Sequence, residues 1–240
     1  MSEATKHFAC EFYGDYALFS EPLTRVGGEK FTYDVPTYEA IKGMLKSVYW
    51  KPTFEYVIDK VRVMNEIRTQ NIGTKGLSYN EGIKSIFNHT KLCDVRYQVL
   101  FHIEWNLNHP ELETDRSLTK HGTIIERCID KGGRQDVFLG TRDCMGYVVP
   151  AVFGMGKGFY DEVPEYYIGN MYHSITYPDT AFDDATKDML TVNFARDVVM
   201  KNGVITFLRP EECAHKPVRE VKNGIKTYED RKNIDTNEEI

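Results

Sequence analysis

Between Val95 and Trp105 the apolar residues Val95, Tyr97, Val99, Phe101, Ile103 and Trp105 occupy every second position, with Arg96, Gln98, His102 and Glu104 among the residues between them. A helix would scatter these six around its axis. An extended chain, whose side chains alternate, gathers them on one face. The segment reads as a half-buried strand, apolar on one side and polar on the other.

Other elements fall into place around it. Phe8, Cys10 and Phe12 alternate as a short strand. Thr37 is placed to cap a helix carrying Tyr38, Ile41, Leu45 and Val48 on one face, and Pro52 ends it. Phe54, Tyr56 and Ile58, then Val61 and Val63, form a strand whose alternation slips once, the mark of a bulge. Residues 65–90 are polar and dotted with glycine and read as a long loop. Leu118, His121, Ile125, Cys128 and Ile129 share the face of a second helix that Gly132-Gly133 ends, and a short strand covers Asp136 to Leu139.

The order β-α-β-β-α-β is that of the ferredoxin-like (RRM-like) unit found in RNA-recognition modules. Strands at 145–153, 166–177 and 189–194 follow. A hairpin over 197–208 turns at Asn202-Gly203. The fold class expected is therefore α+β: a ferredoxin-like domain over 1–142, a smaller antiparallel β domain over 143–215, and a charged tail over 216–240.

Charge narrows the partners. The 240 residues carry a net charge of −6, but Lys42–Arg96 holds twice as many basic as acidic residues. A locally basic surface can grip phosphates within a Debye length of about 10 Å whatever the total charge. No apolar run approaches the ~18 residues of a membrane span. Met1–Lys6 lacks a signal-peptide pattern, and five cysteines without CxxC spacing suit a reducing compartment, so a cytoplasmic location is expected. His102 and His109 are seven apart with no HExxH, and no metal or cofactor is expected. Gly154-Met155-Gly156-Lys157-Gly158 resembles a phosphate loop but opens no helix.

Tyr49 ends the first helix, and Lys120 and His121 begin the second. If the fold brings these ends together, a phenol, an ammonium and an imidazole suffice for metal-free RNA transesterification: one group accepts the ribose 2′-OH proton, one protonates the 5′-oxygen, and a cation offsets the phosphorane charge.

Asp15–Phe19, Glu29–Gly43 and Val48–Pro52 resemble the N-terminal signature of the fifth CRISPR-associated protein family. Gly132–Arg142, Cys144–Tyr147, Tyr167–Met171 and Tyr177-Pro178 are similar to its type I-C (d, or Dvulg) branch. The resemblance implies an endoribonuclease that cleaves CRISPR repeat RNA to mature guide RNA. It further implies retention of the 5′ handle, and assembly with the backbone and large subunits of the type I-C surveillance complex. Its catalytic Tyr, Lys and His match Tyr49, Lys120 and His121. Arg25, Lys30, Arg62, Arg68 and Arg142 are the expected RNA contacts, with non-specific duplex DNA a further partner. The alternatives are a non-catalytic guide-RNA scaffold and a metal-dependent DNA nuclease.

Overall fold

The computed structural model describes residues 6–22, 24, 29–75, 86–184 and 186–221. It is a mixed α/β structure of two antiparallel-dominated sheets and few helices. Strands β1 (Phe8–Ala17), β2 (Lys30–Phe31), β3 (Phe54–Val63), β4 (Thr69–Lys75), β5 (Ile86–Trp105), β6 (Val137–Phe138), β7 (Met145–Pro150) and β10 (Val204–Thr206) share the first sheet. Its main path runs β10-β3-β5-β1-β7-β6, with β2 and β4 also paired to β5. Strands β8 (Tyr166–Thr176), β9 (Met189–Met200) and β11 (Ala214–Glu220) form the second sheet, in the order β11-β9-β8.

Helix α1 (Tyr38–Val48) is capped by the Thr37 hydroxyl, which accepts from the Ala40 N–H at 3.1 Å. It buries Tyr38, Ile41, Met44, Leu45 and Val48. Helix α2 (Leu118–Asp130) is capped by Ser117 and buries His121, Ile125, Cys128 and Ile129. Both helices pack on the face of the first sheet that carries Phe8, Phe12, Val99 and Phe101, closing one core. Gly122 allows the approach: a Cβ there would lie 3.1 Å from Cζ of Phe8.

Several expectations are corrected. The segment expected as a long loop contains β4, which pairs residue for residue with the first half of β5; residues 76–85 lie outside the described part. The boundary at 142 does not coincide with the sheets, because β7 pairs with β1 and β10 with β3. Asn202 and Gly203 do form a tight turn with φ of 47° and 77°. The chain leaves it for the other sheet, however, so the turn is a crossing point rather than a hairpin tip. The start of the charged tail is ordered as β11; residues 222–240 lie outside the described part.

The slip in β3 is a bulge at Asp59, between the pairs Ile58↔Phe101 and Lys60↔Leu100. No helix among the described residues is long and apolar enough to cross a membrane.

Candidate active site

Tyr49 is the C-cap of α1. Its N–H still donates to Leu45 O at 3.0 Å while its own backbone has turned extended. Pro52 just beyond keeps the helix from continuing. Lys120 and His121 lie in the first turn of α2, where Ser117 O receives the His121 N–H at 3.0 Å. A lysine there opposes the helix dipole, a local conflict of the kind found at functional sites.

The fold brings the three residues together. The Tyr49 hydroxyl and His121 Nδ1 are 3.0 Å apart, and His121 Nε2 lies 2.8 Å from the main-chain oxygen of Asp115. A carbonyl can only accept, so Nε2 carries the proton. An unprotonated Nδ1 then accepts from the phenol. His121 is wholly buried among Phe54, Trp105 and Tyr49, with ring centres 5.2, 5.9 and 6.0 Å away. Tyr49 is also buried, whereas Lys120 is exposed. Burial, with the Asp115 carboxylate nearby, pushes the Tyr49 phenol above its usual pKa.

Two further residues complete the site, and neither was found by sequence reasoning. Asp115 ends the 3₁₀ turn Pro110–Asp115. Its carboxylate pairs with Lys120, accepts from Thr53 Oγ1 at 2.7 Å, and stands 3.4 Å from His121 Nε2. The Lys120 hydrogen bond holds this carboxyl below the usual range. Arg134, exposed, has its guanidinium 5.7 Å from the Tyr49 ring centre. Gly133, at φ 100°, returns the chain beside the end of α1, where the Arg134 N–H meets Val48 O at 3.2 Å. The signal for Arg134 was its place directly after Gly132-Gly133; Asp115 carried none.

Of the expected RNA contacts, Arg62 is corrected. It is buried on the opposite sheet face, donates to Asp161 at 2.7 Å, and also reaches Gln98 and the carbonyls of Met155 and Gly156. Those carbonyls show why the glycine-rich stretch is no phosphate loop: it faces a cation. Lys30, on β2, pairs with His89 of β5. Arg68 is half exposed and bonded to Asp94 at 3.1 Å. Arg142 is exposed beside Asp143, which pairs with Lys91. These three border the first half of β5. Arg25 lies outside the described residues.

Known proteins share this fold. A family model, Cas_Cas5d, described as CRISPR-associated protein (Cas_Cas5), matches residues 9–208. One solved structure, described as a CRISPR-associated protein, superposes with a TM-score of 0.72 and 35% identity, covering 88% of this chain and 97% of its own. A functionally uncharacterized protein, SMU1763c from Streptococcus mutans, gives a TM-score of 0.67 at 36% identity over the same shares of the two chains. The chain is thus a CRISPR-associated protein by class.

Two curated relatives carry the name CRISPR pre-crRNA endoribonuclease Cas5d. The one from Mannheimia succiniciproducens is 42% identical over 60 residues, 25% of this chain and 26% of its own length. The one from Thermus thermophilus is 31% identical over 149 residues, 58% of this chain and 61% of its own length. Within the class, the chain belongs to the Cas5d family.

Proposed function

We propose that this protein is an endoribonuclease that cleaves CRISPR repeat RNA by transesterification, without a metal in the step, with Tyr49, Lys120 and His121 as its catalytic residues. The observation that carries the reading is the 3.0 Å contact between the Tyr49 hydroxyl and His121 Nδ1, with Lys120 one residue away at the helix N-terminus. The ribose 2′-oxygen attacks the adjacent phosphorus and loses its proton, while the P–O5′ bond breaks and O5′ gains one. The products are a 2′,3′-cyclic phosphate and a 5′-hydroxyl. An imidazole nitrogen can accept a proton, and a phenol that burial keeps in its protonated form has one to give. Lys120, with the dipole of α2, offsets the charge on the phosphorane.

The resting site is closed. The Asp115 carboxylate lies between Lys120, Thr53 and His121, and an RNA phosphate is to take its place beside Lys120. Phosphate binding displaces it and frees Lys120. A cavity of about 220 Å³ beyond the end of α1 is lined by Trp50, Tyr177 and His109 together with Lys42, Lys46 and the carboxylates Glu39, Glu55 and Asp179. The half-exposed Trp50 and Tyr177 offer faces on which unpaired bases stack. Lys30, Arg68 and Arg142 sit toward the other end of β5. Lys91 to Trp105 is roughly 45 Å of strand at ~3.3 Å per residue, so grip and cut are separated along a structured RNA. The protein keeps the 5′ handle and joins the backbone and large subunits of the type I-C complex in the cytoplasm.

The strand order β3-β5-β1-β7, with both helices on one face, supports a ferredoxin-like arrangement.

The complete burial of Tyr49 and His121 favours a second reading, a handle-binding scaffold that does not cut. Single-turnover incubation with the cognate repeat RNA in EDTA separates the two. Cleavage is expected, and one 2′-deoxy substitution 5′ of the scissile phosphate is expected to abolish it at nearly unchanged affinity. Binding with no cleavage leaves only the scaffold. Undiminished cutting of the deoxy substrate overturns the mechanism.

A further inference from the structure

On the face of the first sheet turned away from α1 and α2, three metal-ligating side chains converge from β3, β5 and the residue that leads into β1. His7 lies just before β1, Asp59 is the bulged residue of β3, and His102 is on β5. One donor atom from each falls within 4.8 Å of the other two. His102 Nδ1 is 3.0 Å, and His7 Nε2 3.6 Å, from the same oxygen, Asp59 Oδ2. The edge of a tetrahedron with metal–ligand bonds of 2.0–2.1 Å is about 3.4 Å, so these separations bracket the value that a bound ion imposes.

Three further features support an ion rather than a simple hydrogen-bonded pair. The bulge at Asp59 re-aims a carboxylate in a strand otherwise in regular register, as bulges beside functional sites do. The second nitrogen of His102, Nε2, is 3.4 Å from Glu104 Oε1, the carboxylate–histidine arrangement that orients a metal-bound imidazole. Glu104 is itself fixed by Arg209, through Oε1 and through Oε2 at 3.3 Å. The side chains of His102 and Asp59 are largely buried, while that of His7 is half exposed and packs on the His102 ring with centres 5.3 Å apart.

We infer that His7, Asp59 and His102 form a site for a borderline divalent transition-metal ion of the Zn²⁺ class, with a fourth position open to water. Two imidazoles and one carboxylate select Zn²⁺, Co²⁺ or Ni²⁺ over Mg²⁺ and Ca²⁺, which prefer all-oxygen sets. The ion ties the lead-in of β1 to β3 and β5. The site is separate from the cleavage residues, on the other face of the sheet, and stands whether or not the proposed activity does.

The test is calorimetric titration of chelator-treated, tag-free protein with ZnCl₂ and CoCl₂, beside a thermal melt and the visible spectrum of the Co²⁺ form. One equivalent is expected to bind and raise the melting temperature. The Co²⁺ spectrum should show d–d bands without a thiolate charge-transfer band. His7→Ala, at a half-exposed position that leaves the core untouched, should lower affinity at least tenfold, and Asp59→Asn likewise. MgCl₂ should produce no heat. No binding of Zn²⁺, binding undiminished in His7→Ala, or a thiolate band that moves the ion to a cysteine would each overturn the assignment.

Discussion

On the helix side of the first sheet, Phe8, Phe12, Val99 and Phe101 pack against α1 and α2. On the other side, Gln98, Arg62 and His102 each meet polar partners: the Gln98 amide donates to Met155 O at 2.8 Å, Arg62 holds Asp161, and His102 sits against Asp59. The first face is held by apolar area, at about 25 cal/mol per Å² removed from water. Repacking there changes stability gradually. The second is held by directed bonds, where deleting one partner strands the other and costs far more than the pair is worth net. The proposed catalytic residues belong to the first face and the candidate metal site to the second. Chemistry thus sits on an apolar platform, while the polar face locks strands together.

The comparison can be broken most severely at His121. His121→Ala removes a proton-transfer group worth about 10²–10⁴ in rate, and single-turnover cleavage is expected to fall at least a hundredfold. Repeat-RNA affinity should stay within several-fold, since it rests on many phosphate contacts. Tyr49→Phe should behave alike because it keeps the packed ring. If His121→Ala cuts near the wild-type rate, the catalytic assignment fails. A collapsed melt instead makes it a packing residue. Next comes Lys120→Ala, expected to slow cleavage about 10²–10³-fold by analogy with other charge-stabilising donors. Lys120 is exposed, so its melt should not move.

On the polar face, Arg62→Ala leaves Asp161 and Gln98 without their partner. It should destabilise by about 3 kcal/mol, the low end for a broken buried pair because Asp161 is partly solvated. A chemical-denaturation midpoint unchanged from wild type would show that the bonds on this face contribute little.

A gradual, pH-dependent effect tests a buried polar group with no carboxylate partner among the described residues. His173, on β8, stacks on Tyr38 with ring centres 4.3 Å apart, and burial lowers its pKa to about 4. Its folded pKa lies below the unfolded value near 6.5, so the unfolded chain binds the extra proton between these limits. Stability should therefore fall as pH drops from about 6.5 toward 4, by up to about 1.4 kcal/mol per pH unit from this group. His173→Gln should flatten that part of a melt-versus-pH curve relative to wild type; superimposable curves would refute the burial argument. The smallest effect expected is in RNA affinity. Lys30→Ala, Arg68→Ala and Arg142→Ala should each lower the salt-dependence slope by roughly one unit per lost phosphate contact, and an unchanged slope places that residue off the RNA surface.

Residues on the apolar face were legible because their periodicity is local. Val95 to Trp105 announces its own geometry, and Tyr38 to Val48 announces a helix with its cap. Tyr49, Lys120 and His121 could be named because each stands at a helix end, where the chain's punctuation is visible. Asp115 could not, since its role depends on a 3₁₀ turn that no pattern marks. The polar face is set by register. Nothing between His7, Asp59 and His102 in sequence says that a bulge will turn the second toward the other two. Arg62 has the same history: on a strand it alternates as a surface cation should, and only Asp161, far along the chain, turns it into a buried anchor. β4 was missed because Thr69–Lys75 is polar on both faces and forms by pairing with β5 rather than by burial.

β5 itself behaves as two members joined end to end. Asp94, at φ 53°, is the joint. Beyond it, Val95 to Trp105 is paired to β1, to β3 or, from Tyr97 to Phe101, to both. Before it, Ile86 to Lys91 pairs mainly with the exposed β4, and Ile86 and Phe87 are open to water. Mechanically this is a cantilever rooted in the core. Amide exchange along the strand should step at Asp94, with the rooted half opening only when the whole domain unfolds and the projecting half opening by local fraying. Lys30, whose strand β2 pairs with this projecting half, thus rides on a part that can bend while Tyr49 and His121 stay fixed in the core.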